Sequence, residues 1–266
     1  MMIVGDVTMA VRGLSSKKTY TLIMKDSSNN KKGMNLNTFL QKAADAKSVA
    51  VKLNFDQIRD FEESIKVLIA MSGKLEFPLW LHLDKYYMED NYVDYFLSVC
   101  AHNFPKATIC IRWVKENKHI MQVKGFTARL IAKIKYFLTQ NHVTQTFAFP
   151  VQINEVADSL DTLLALKDLH GIIDSAIYMY GFELGSLNDK PNPDLKKLIK
   201  DFGKDRVYLD GPKSFVEFSI SLPRTPLTFH VPVSRNLNKN AHQMTAILMD
   251  FDGRTDGTDH DGLTDG

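Results

Sequence analysis

Residues 48–113 decide the fold of this chain and read SVAVKLNFDQIRDFEESIKVLIAMSGKLEFPLWLHLDKYYMEDNYVDYFLSVCAHNFPKATICIRW. Short apolar runs rich in β-branched and aromatic residues alternate here with longer segments whose apolar residues recur every three or four positions. This pattern predicts strands at 49–55, 77–84 and 108–113, with helices at 57–72 and 91–102 between them. Strands that alternate with helices in this way form a parallel sheet with right-handed crossovers.

The same alternation extends over most of the chain. Counting from Met2, seven strands are recognisable near residues 4, 51, 80, 110, 148, 178 and 207. A further apolar run at 20–24 is interpreted as an accessory strand in the loop after the first unit. Seven successive strand–helix units predict an α/β protein with a β/α (TIM-like) barrel that lacks its first strand, more than an open sheet.

Composition excludes several classes of protein. The 266 residues are 44% hydrophobic and 24% charged, and the formal net charge is only +2, so charge indicates neither nucleic acid nor membrane binding. No apolar run approaches 18 residues and no signal peptide is visible, so we expect a soluble chain without a transmembrane segment. The two cysteines, Cys100 and Cys110, lie in apolar surroundings and are interpreted as buried thiols, with a single bridge between them as the alternative.

We expect three regions along the chain. Residues 1–218 form the barrel domain, residues 219–249 an irregular C-terminal extension, and residues 250–266 a disordered Asp/Gly-rich tail. The aspartates of the tail suggest calcium as an alternative. An EF-hand loop counted from Asp250 needs glycine at its sixth position and glutamate at its twelfth, where this chain has Thr255 and Asp261.

Candidate site residues follow from the polar ends of the predicted strands, because ligands bind at the carboxyl ends of strands in parallel α/β folds. Asp6, Asn54 and Asp84 are candidate ligands of a weakly held Mg²⁺ or Ca²⁺, since oxygen ligands suit these ions. His82 and Lys52 are candidate catalytic residues, as a base and as a cation for phosphate or carboxylate. The alternatives are a structural histidine and an ion pair of Lys52 with Asp6 or Asp84.

A family resemblance adds to this interpretation. The ordered runs AVKLNF, FPLWLHLD, FPKATICIRW, TFAFPV, AIYMYG and RVYLD resemble the menorin family, which is related to glycerophosphodiester phosphodiesterase-like and phospholipase C-like barrels. The resemblance covers residues 2–210. It implies a phospholipase C-like barrel fold and an extracellular protein that binds partners at the cell surface or in the extracellular matrix, in cell recognition or neuronal morphogenesis.

The chain departs from the family pattern where chemistry would lie. The family's first strand, with its histidine, has no counterpart. Residues 4–6 read Val-Gly-Asp where the family has Glu-Ala-Asp, and residues 24–26 read Met-Lys-Asp where it has Met-Ala-His. Residues 52–55 read Lys-Leu-Asn-Phe for Lys-Leu-Asp-Phe, residues 82–84 read His-Leu-Asp for Asn-Ala-Asp, and Gln152 stands where arginine is expected. The resemblance therefore implies an eroded phosphodiesterase site.

Two functions follow as expectations. The first is a non-catalytic extracellular binding or signalling module, a pseudoenzyme that needs no cofactor. The alternative is a weak metal-dependent hydrolase of a phosphodiester-type substrate. Because no signal peptide is seen, a cytoplasmic location stays open. A truncated gene product is also an open interpretation, and we expect residues 227–231, LTFHV, to fill the gap beside the strand of Asp6.

Overall fold

Strands and helices alternate along the chain in a computed structural model. It describes residues 2–12, 19–25, 33–46, 49–85, 89–113, 126–169, 174–181, 193–210 and 230–232. The described strands are β1 (Met2–Arg12), β2 (Thr19–Met24), β3 (Ala50–Phe55), β4 (Leu79–Lys85), β5 (Thr108–Trp113), β6 (Phe147–Gln152), β7 (Ser175–Tyr180), β8 (Val207–Leu209) and β9 (His230–Pro232). The predicted tail and most of the predicted C-terminal extension lie outside the described residues.

The described part of the chain has six amphipathic helices between its strands. They are α1 (Leu36–Asp45), α2 (Ile58–Met71), α3 (Asp90–Asn103), α4 (Ala128–Gln140), α5 (Val156–Ala165) and α6 (Pro193–Phe202). Short 3₁₀ turns cover Ser72–Lys74, Ile153–Glu155, Leu166–Leu169 and Lys204–Arg206. Each helix buries one apolar stripe, as in α6, where Leu195, Leu198, Ile199 and Phe202 are buried. Proline at the first position of α6 is favourable because the N–H it lacks would have no partner there.

The strands form one sheet in the order β2-β1-β3-β4-β5-β6-β7-β8. Each strand from β1 through β3 to β8 is parallel to the next one in this order. Strand β2 is antiparallel to the second half of β1. The accessory strand predicted at 20–24 is therefore confirmed. The first half of β1 pairs in parallel with β9, where Met2 and Ile3 face His230 and Val231. These two β9 residues belong to the segment predicted to lie beside the strand of Asp6.

Contacts across the sheet show that it is strongly curled. Trp80 on β4 and Tyr208 on β8 are four strand spacings apart in the sheet, about 19 Å if it were flat. Their ring centroids are 4.7 Å apart. The Nζ of Lys52 on β3 likewise lies 3.8 Å from the ring centroid of Tyr178 on β7. The fold is therefore a mixed α/β structure in which the eight strands from β2 to β8 in the sheet order curl into a half-barrel, and β9 pairs with β1 as a ninth strand. Within the described residues no strand pairing joins β8 back to β1 or β9.

Alternation along the strands divides the buried side chains into two cores. Odd-numbered residues such as Leu53, Leu81 and Ile109 face the helices and form the larger core. Even-numbered residues such as Trp80 and Tyr178 point into the curl and form the smaller core with others of the same parity. The register of the parallel strands keeps this parity from β1 to β8, so the inner face receives every second residue of each strand.

The pairing between β5 and β6 is short. It ends at the Cys110–Ala148 pair, whereas β6 continues beside β7 as far as Gln152. Proline at position 150 has no N–H to donate to a neighbouring strand. We attribute the early end of the β5–β6 ladder to this proline, and the sheet is consequently less tightly paired at this point of its carboxyl edge.

Candidate functional site

The carboxyl edge of the sheet collects one polar or aromatic residue from each inner strand. Even-numbered positions place these side chains on the inner face, which we call the mouth of the curl: Asp6, Asn54, Asp84, Arg112, Gln152, Tyr180 and Asp210. One layer deeper lie the side chains of Lys52, His82, Cys110 and Tyr178. All five site residues predicted from the sequence, Asp6, Lys52, Asn54, His82 and Asp84, belong to these two layers.

Two of the predicted metal ligands contact each other directly. The amide Nδ2 of Asn54 donates to Oδ1 of Asp6 at 2.8 Å, across the β1–β3 pair. The side chain of Asn54 is therefore a hydrogen-bond donor to Asp6. A carboxylate at position 54 would instead repel the carboxylate of Asp6. The side-chain oxygen of Asn54, Oδ1, is buried and has no hydrogen-bond partner among the described residues.

Asp84 is held by Arg112, a strand-end cation that is not among the five candidate site residues. Nη2 of Arg112, on the neighbouring strand, lies 3.2 Å from Oδ2 of Asp84, and its guanidinium carbon lies 4.7 Å from the ring centroid of Tyr180. Burial raises the pKa of Asp84, and the charge of Arg112 opposes that rise. The ion pair proposed between Lys52 and Asp6 or Asp84 is not found among the described residues. Arginine suits this position because its planar group both pairs with the carboxylate and stacks on the ring.

Lys52 is buried against an aromatic ring. Only 2% of its surface is exposed, and its ammonium lies on the face of Tyr178, where a cation–π contact offsets part of the lost hydration. Burial lowers the pKa of Lys52 to about 8, while the negative charge of Asp210 opposes the shift. The Tyr178 hydroxyl donates to Oδ2 of Asp210, which fixes the ring beneath the ammonium.

His82 lies inside the curl and is not at the solvent-facing rim. It is 2% exposed, and its ring meets Tyr178 edge-on with centroids 6.4 Å apart. Burial, followed by the positive charges of Lys52 and Arg112, holds the pKa of His82 well below its usual range. The imidazole is therefore neutral at physiological pH, with one nitrogen as a donor and the other as an acceptor.

The cysteines are free thiols, as expected from the sequence. Both are buried, and burial raises the pKa of Cys100 well above its usual range and that of Cys110 to about 12. Cys110 is the register neighbour of His82 on the inner face. Because thiolate is the form that attacks electrophiles and binds metals, neither cysteine is prepared for such chemistry at neutral pH.

The mouth fits a divalent cation only in part. Oδ1 of Asn54 and Oδ1 of Asp84 are buried oxygens that make no hydrogen bond within the described residues, and such oxygens are suitable ligands for Mg²⁺ or Ca²⁺. Across the described residues, however, no group of three or more His, Cys, Asp or Glu side chains is arranged to hold a metal. Arg112 is paired with Asp84, and its positive charge would repel a metal cation bound at this carboxylate.

Sequence reasoning missed two residues that organise the mouth. Neither Tyr178 nor Asp210 is among the candidate site residues, and Asp210 enters only as the last residue of the matching run RVYLD. Asp210 follows the last parallel strand directly, so the strand-end rule that selected Asp84 also applied to it. Tyr178 carried no comparable signal, because its role arises from contacts with β3 across the curl.

A surface cavity of about 240 Å³ lies away from the mouth, between β2 and the helices α1 and α2. Its lining includes Tyr20, Leu36, Glu63 and Val67. Among these, Glu63 is the only ionisable group other than the tyrosine, and no cation or histidine faces it in the lining. Thr21 and Asn35 also line the cavity, but a lining with one carboxylate and no basic group identifies no specific ligand.

Fold and site together define a class: an α/β protein with a curled parallel sheet and a polar mouth at the carboxyl ends of its strands. The sequence model of the Menorin N-terminal domain matches residues 1–215. The chain therefore belongs to the menorin family. Searches of curated proteins and of solved structures gave no match. Among the described residues, no helix has both the length and the apolar character needed to cross a bilayer.

Proposed function

We propose that this chain is a non-catalytic binding or signalling module of the menorin family, whose phosphodiesterase-type site is eroded. The observation that carries the proposal is that each of the three carboxylates of the mouth is engaged by a neighbouring side chain. Asp84 pairs with Arg112, Asp6 accepts from Asn54, and Asp210 accepts from Tyr178. An active hydrolase needs free carboxylates for its metal and a base whose pKa suits proton transfer.

The position of His82 supports the same proposal. General acid–base catalysis is efficient when the group that moves the proton has a pKa near the working pH. His82 is almost fully buried, and its surroundings keep it neutral. Lys52 is turned onto Tyr178 and makes no ion pair among the described residues. The two residues predicted as catalytic are therefore better suited to internal packing than to turnover.

The finer fold assignment belongs to this proposal. We infer that the curled sheet is the half of a TIM-like barrel of the phospholipase C-like type, with β9 serving as the strand beside β1. The parity of the inner residues and the contacts from β3 and β4 to β7 and β8 support a barrel. Spectroscopic distances between spin labels on β8 and β9 test this directly. A separation well beyond that of neighbouring strands would argue for an open sheet.

The setting of the proposed function is extracellular, with protein partners at the cell surface or in the extracellular matrix. Membership of the menorin family supports this setting, through the role that the family resemblance implies. Antibody detection of the protein in conditioned medium and in cell lysate tests the location. Recovery only in the cytosolic fraction would contradict it.

A weak metal-dependent hydrolase is the second candidate. Its support is the pair of buried oxygens on Asn54 and Asp84 that lack hydrogen bonds among the described residues. In this candidate Asp6, Asn54 and Asp84 would hold Mg²⁺ or Ca²⁺, with His82 and Lys52 as catalytic residues. When bound, the ion would supply Lewis-acid polarisation of a phosphodiester oxygen.

One experiment separates the two functions. The full chain is titrated with Mg²⁺ and with Ca²⁺ by calorimetry, and hydrolysis of bis(p-nitrophenyl) phosphate is followed with and without each ion. The binding-module proposal predicts no metal-dependent turnover. Turnover that Asp84→Ala abolishes and that Asp158→Ala, at an exposed aspartate on α5, leaves unchanged would establish the hydrolase instead.

A further inference from the structure

Three neighbouring side chains on the inner face carry buried polar atoms without hydrogen bonds among the described residues. These atoms are both ring nitrogens of His82, Oδ1 of Asn54 and Oδ1 of Asp84. Asn54 and His82 are register partners on adjacent strands, and Asp84 is the next inward residue after His82 on β4. The unpaired atoms therefore lie on one continuous patch, which we call the polar patch.

Such a concentration of unpaired groups is unfavourable in an empty interior. A buried polar atom that has lost water and gained no partner costs about 1–3 kcal/mol. Native proteins therefore pair nearly all such atoms with protein, water or a ligand. Four unpaired atoms on three adjoining residues indicate a place that a polar molecule occupies.

The chemistry of the patch selects the type of molecule. Neutral His82 offers one donor and one acceptor, while the two free oxygens of Asn54 and Asp84 offer acceptors only. The patch therefore presents three acceptors and one donor, and the ammonium of nearby Lys52 is a further donor. Hydroxyl groups match this mixture because each one donates once and accepts twice.

Charge argues for a neutral ligand. The negative charge of Asp84 disfavours an anion at its free oxygen. The positive charges of Lys52 and Arg112 act on His82 and disfavour a second cation beside it.

We propose that Asn54, His82 and Asp84 bind a neutral polyhydroxylated ligand, either a free polyol or a sugar of a glycan. The inference deepens the proposed binding function and rests on it. A glycan source would match an extracellular setting, and a free polyol would match an intracellular or a circulating ligand. The shared chemistry is a set of adjacent hydroxyl groups without net charge.

The test measures binding to the full chain with three probes: sorbitol, glucose and maltotriose. Saturation-transfer NMR detects contact, and calorimetry gives the affinity. We expect at least one probe to bind with a millimolar or lower Kd. Stronger binding of maltotriose than of glucose assigns the site to glycans, whereas preference for sorbitol assigns it to free polyols.

Variants localise the binding. His82→Phe keeps the ring and removes both nitrogens, so it should weaken binding at least tenfold, and the matched change His102→Phe at an exposed histidine of α3 should leave the affinity unchanged. If His82→Phe does not fold, Asp84→Asn, which replaces one acceptor oxygen by a donor, is expected to weaken binding as well. Absence of binding by all three probes, or affinity unaffected in the folded His82 or Asp84 variant, overturns the proposal.

Failure of this inference is distinguishable from failure of the proposed function. Metal-dependent phosphodiester turnover would end the non-catalytic proposal whatever the probes do. Lack of probe binding without any turnover would remove the polyhydroxylated ligand alone and leave the binding module in place.

Discussion

Replacing Lys52 by methionine should stabilise the protein. The pKa of Lys52 falls from 10.5 to about 8, and each pKa unit corresponds to about 1.4 kcal/mol, so the buried charge costs about 3 kcal/mol near neutral pH. Methionine keeps the apolar stem and loses only the cation–π contact with Tyr178, worth about 0.5–2 kcal/mol. The expected gain is about 1–3 kcal/mol, which raises Tm by roughly 2–12 °C for a domain of this size.

The pH dependence makes this prediction specific. Between pH 8 and 10.5 the unfolded chain keeps the proton of Lys52 while the folded chain has lost it. The contribution of Lys52 to the free energy of unfolding therefore rises with pH across this window. The advantage of Lys52→Met over the wild type should shrink over the same range, since other groups titrate alike in both proteins.

Urea unfolding followed by circular dichroism at pH 7, 8, 9 and 10 measures the difference between wild type and variant. Lys106→Met, at an exposed turn, serves as the control and should stay within about 0.5 kcal/mol of the wild type. A destabilised Lys52→Met variant whose difference from the wild type is constant with pH would refute the reasoning. It would mean that Lys52 makes favourable contacts which outweigh the cost of burial.

Four further predictions concern other groups of the fold. At pH 5 the free energy of unfolding of His82→Phe should gain up to about 2 kcal/mol over that of the wild type, because below pH 6.5 only the unfolded wild type protonates this histidine. Equal acid sensitivity of the two proteins in urea titrations would contradict this. Arg112→Met should lower the free energy of unfolding by about 1–2 kcal/mol, since it leaves the half-buried Asp84 unpaired. The control Lys197→Met, which breaks the exposed pair with Asp201, should cost under about 0.5 kcal/mol. Similar losses in both variants would count against a special role of the Asp84–Arg112 pair. Asp60→Ala removes the carboxylate that accepts the Met9 N–H at 3.1 Å, so we expect a loss of about 1–3 kcal/mol and faster hydrogen exchange at that amide; unchanged exchange would show that the bond is dispensable. A thiol reagent such as DTNB should label Cys100 and Cys110 only at the rate of unfolding, and rapid labelling of the native protein would contradict their burial.

Local pattern was enough to predict the strands and the direction of their side chains. The strand expected at 108–113 coincides with β5, and the run at 20–24 with β2. The apolar runs, broken by loop residues, determine where strands lie, and parity then assigns Asn54, His82 and Asp84 to one face. Such information is local, so a single sequence contains it.

The pairing of charges could not be predicted in the same way. Lys52 and Arg112 both follow the inward parity, and the choice of partner for Asp84 depends on how deeply each lies in the curl. Arg112 is level with Asp84 in the register, whereas Lys52 lies one inward position deeper than Asn54. Its contact with Tyr178 joins strands that are not neighbours and exists only once the sheet has curled.

The pairing of β9 with β1 has a consequence for synthesis of the chain. Met2 and His230 are 228 positions apart, so closing this contact costs about 5 kcal/mol of loop entropy beyond a constant. At about 5–20 residues per second, β1 waits roughly 10–50 s on the ribosome before β9 exists. During that time the first half of β1 is an open strand edge, which is a site of unwanted association. We expect the nascent chain to depend on chaperones until residue 232 has left the ribosome.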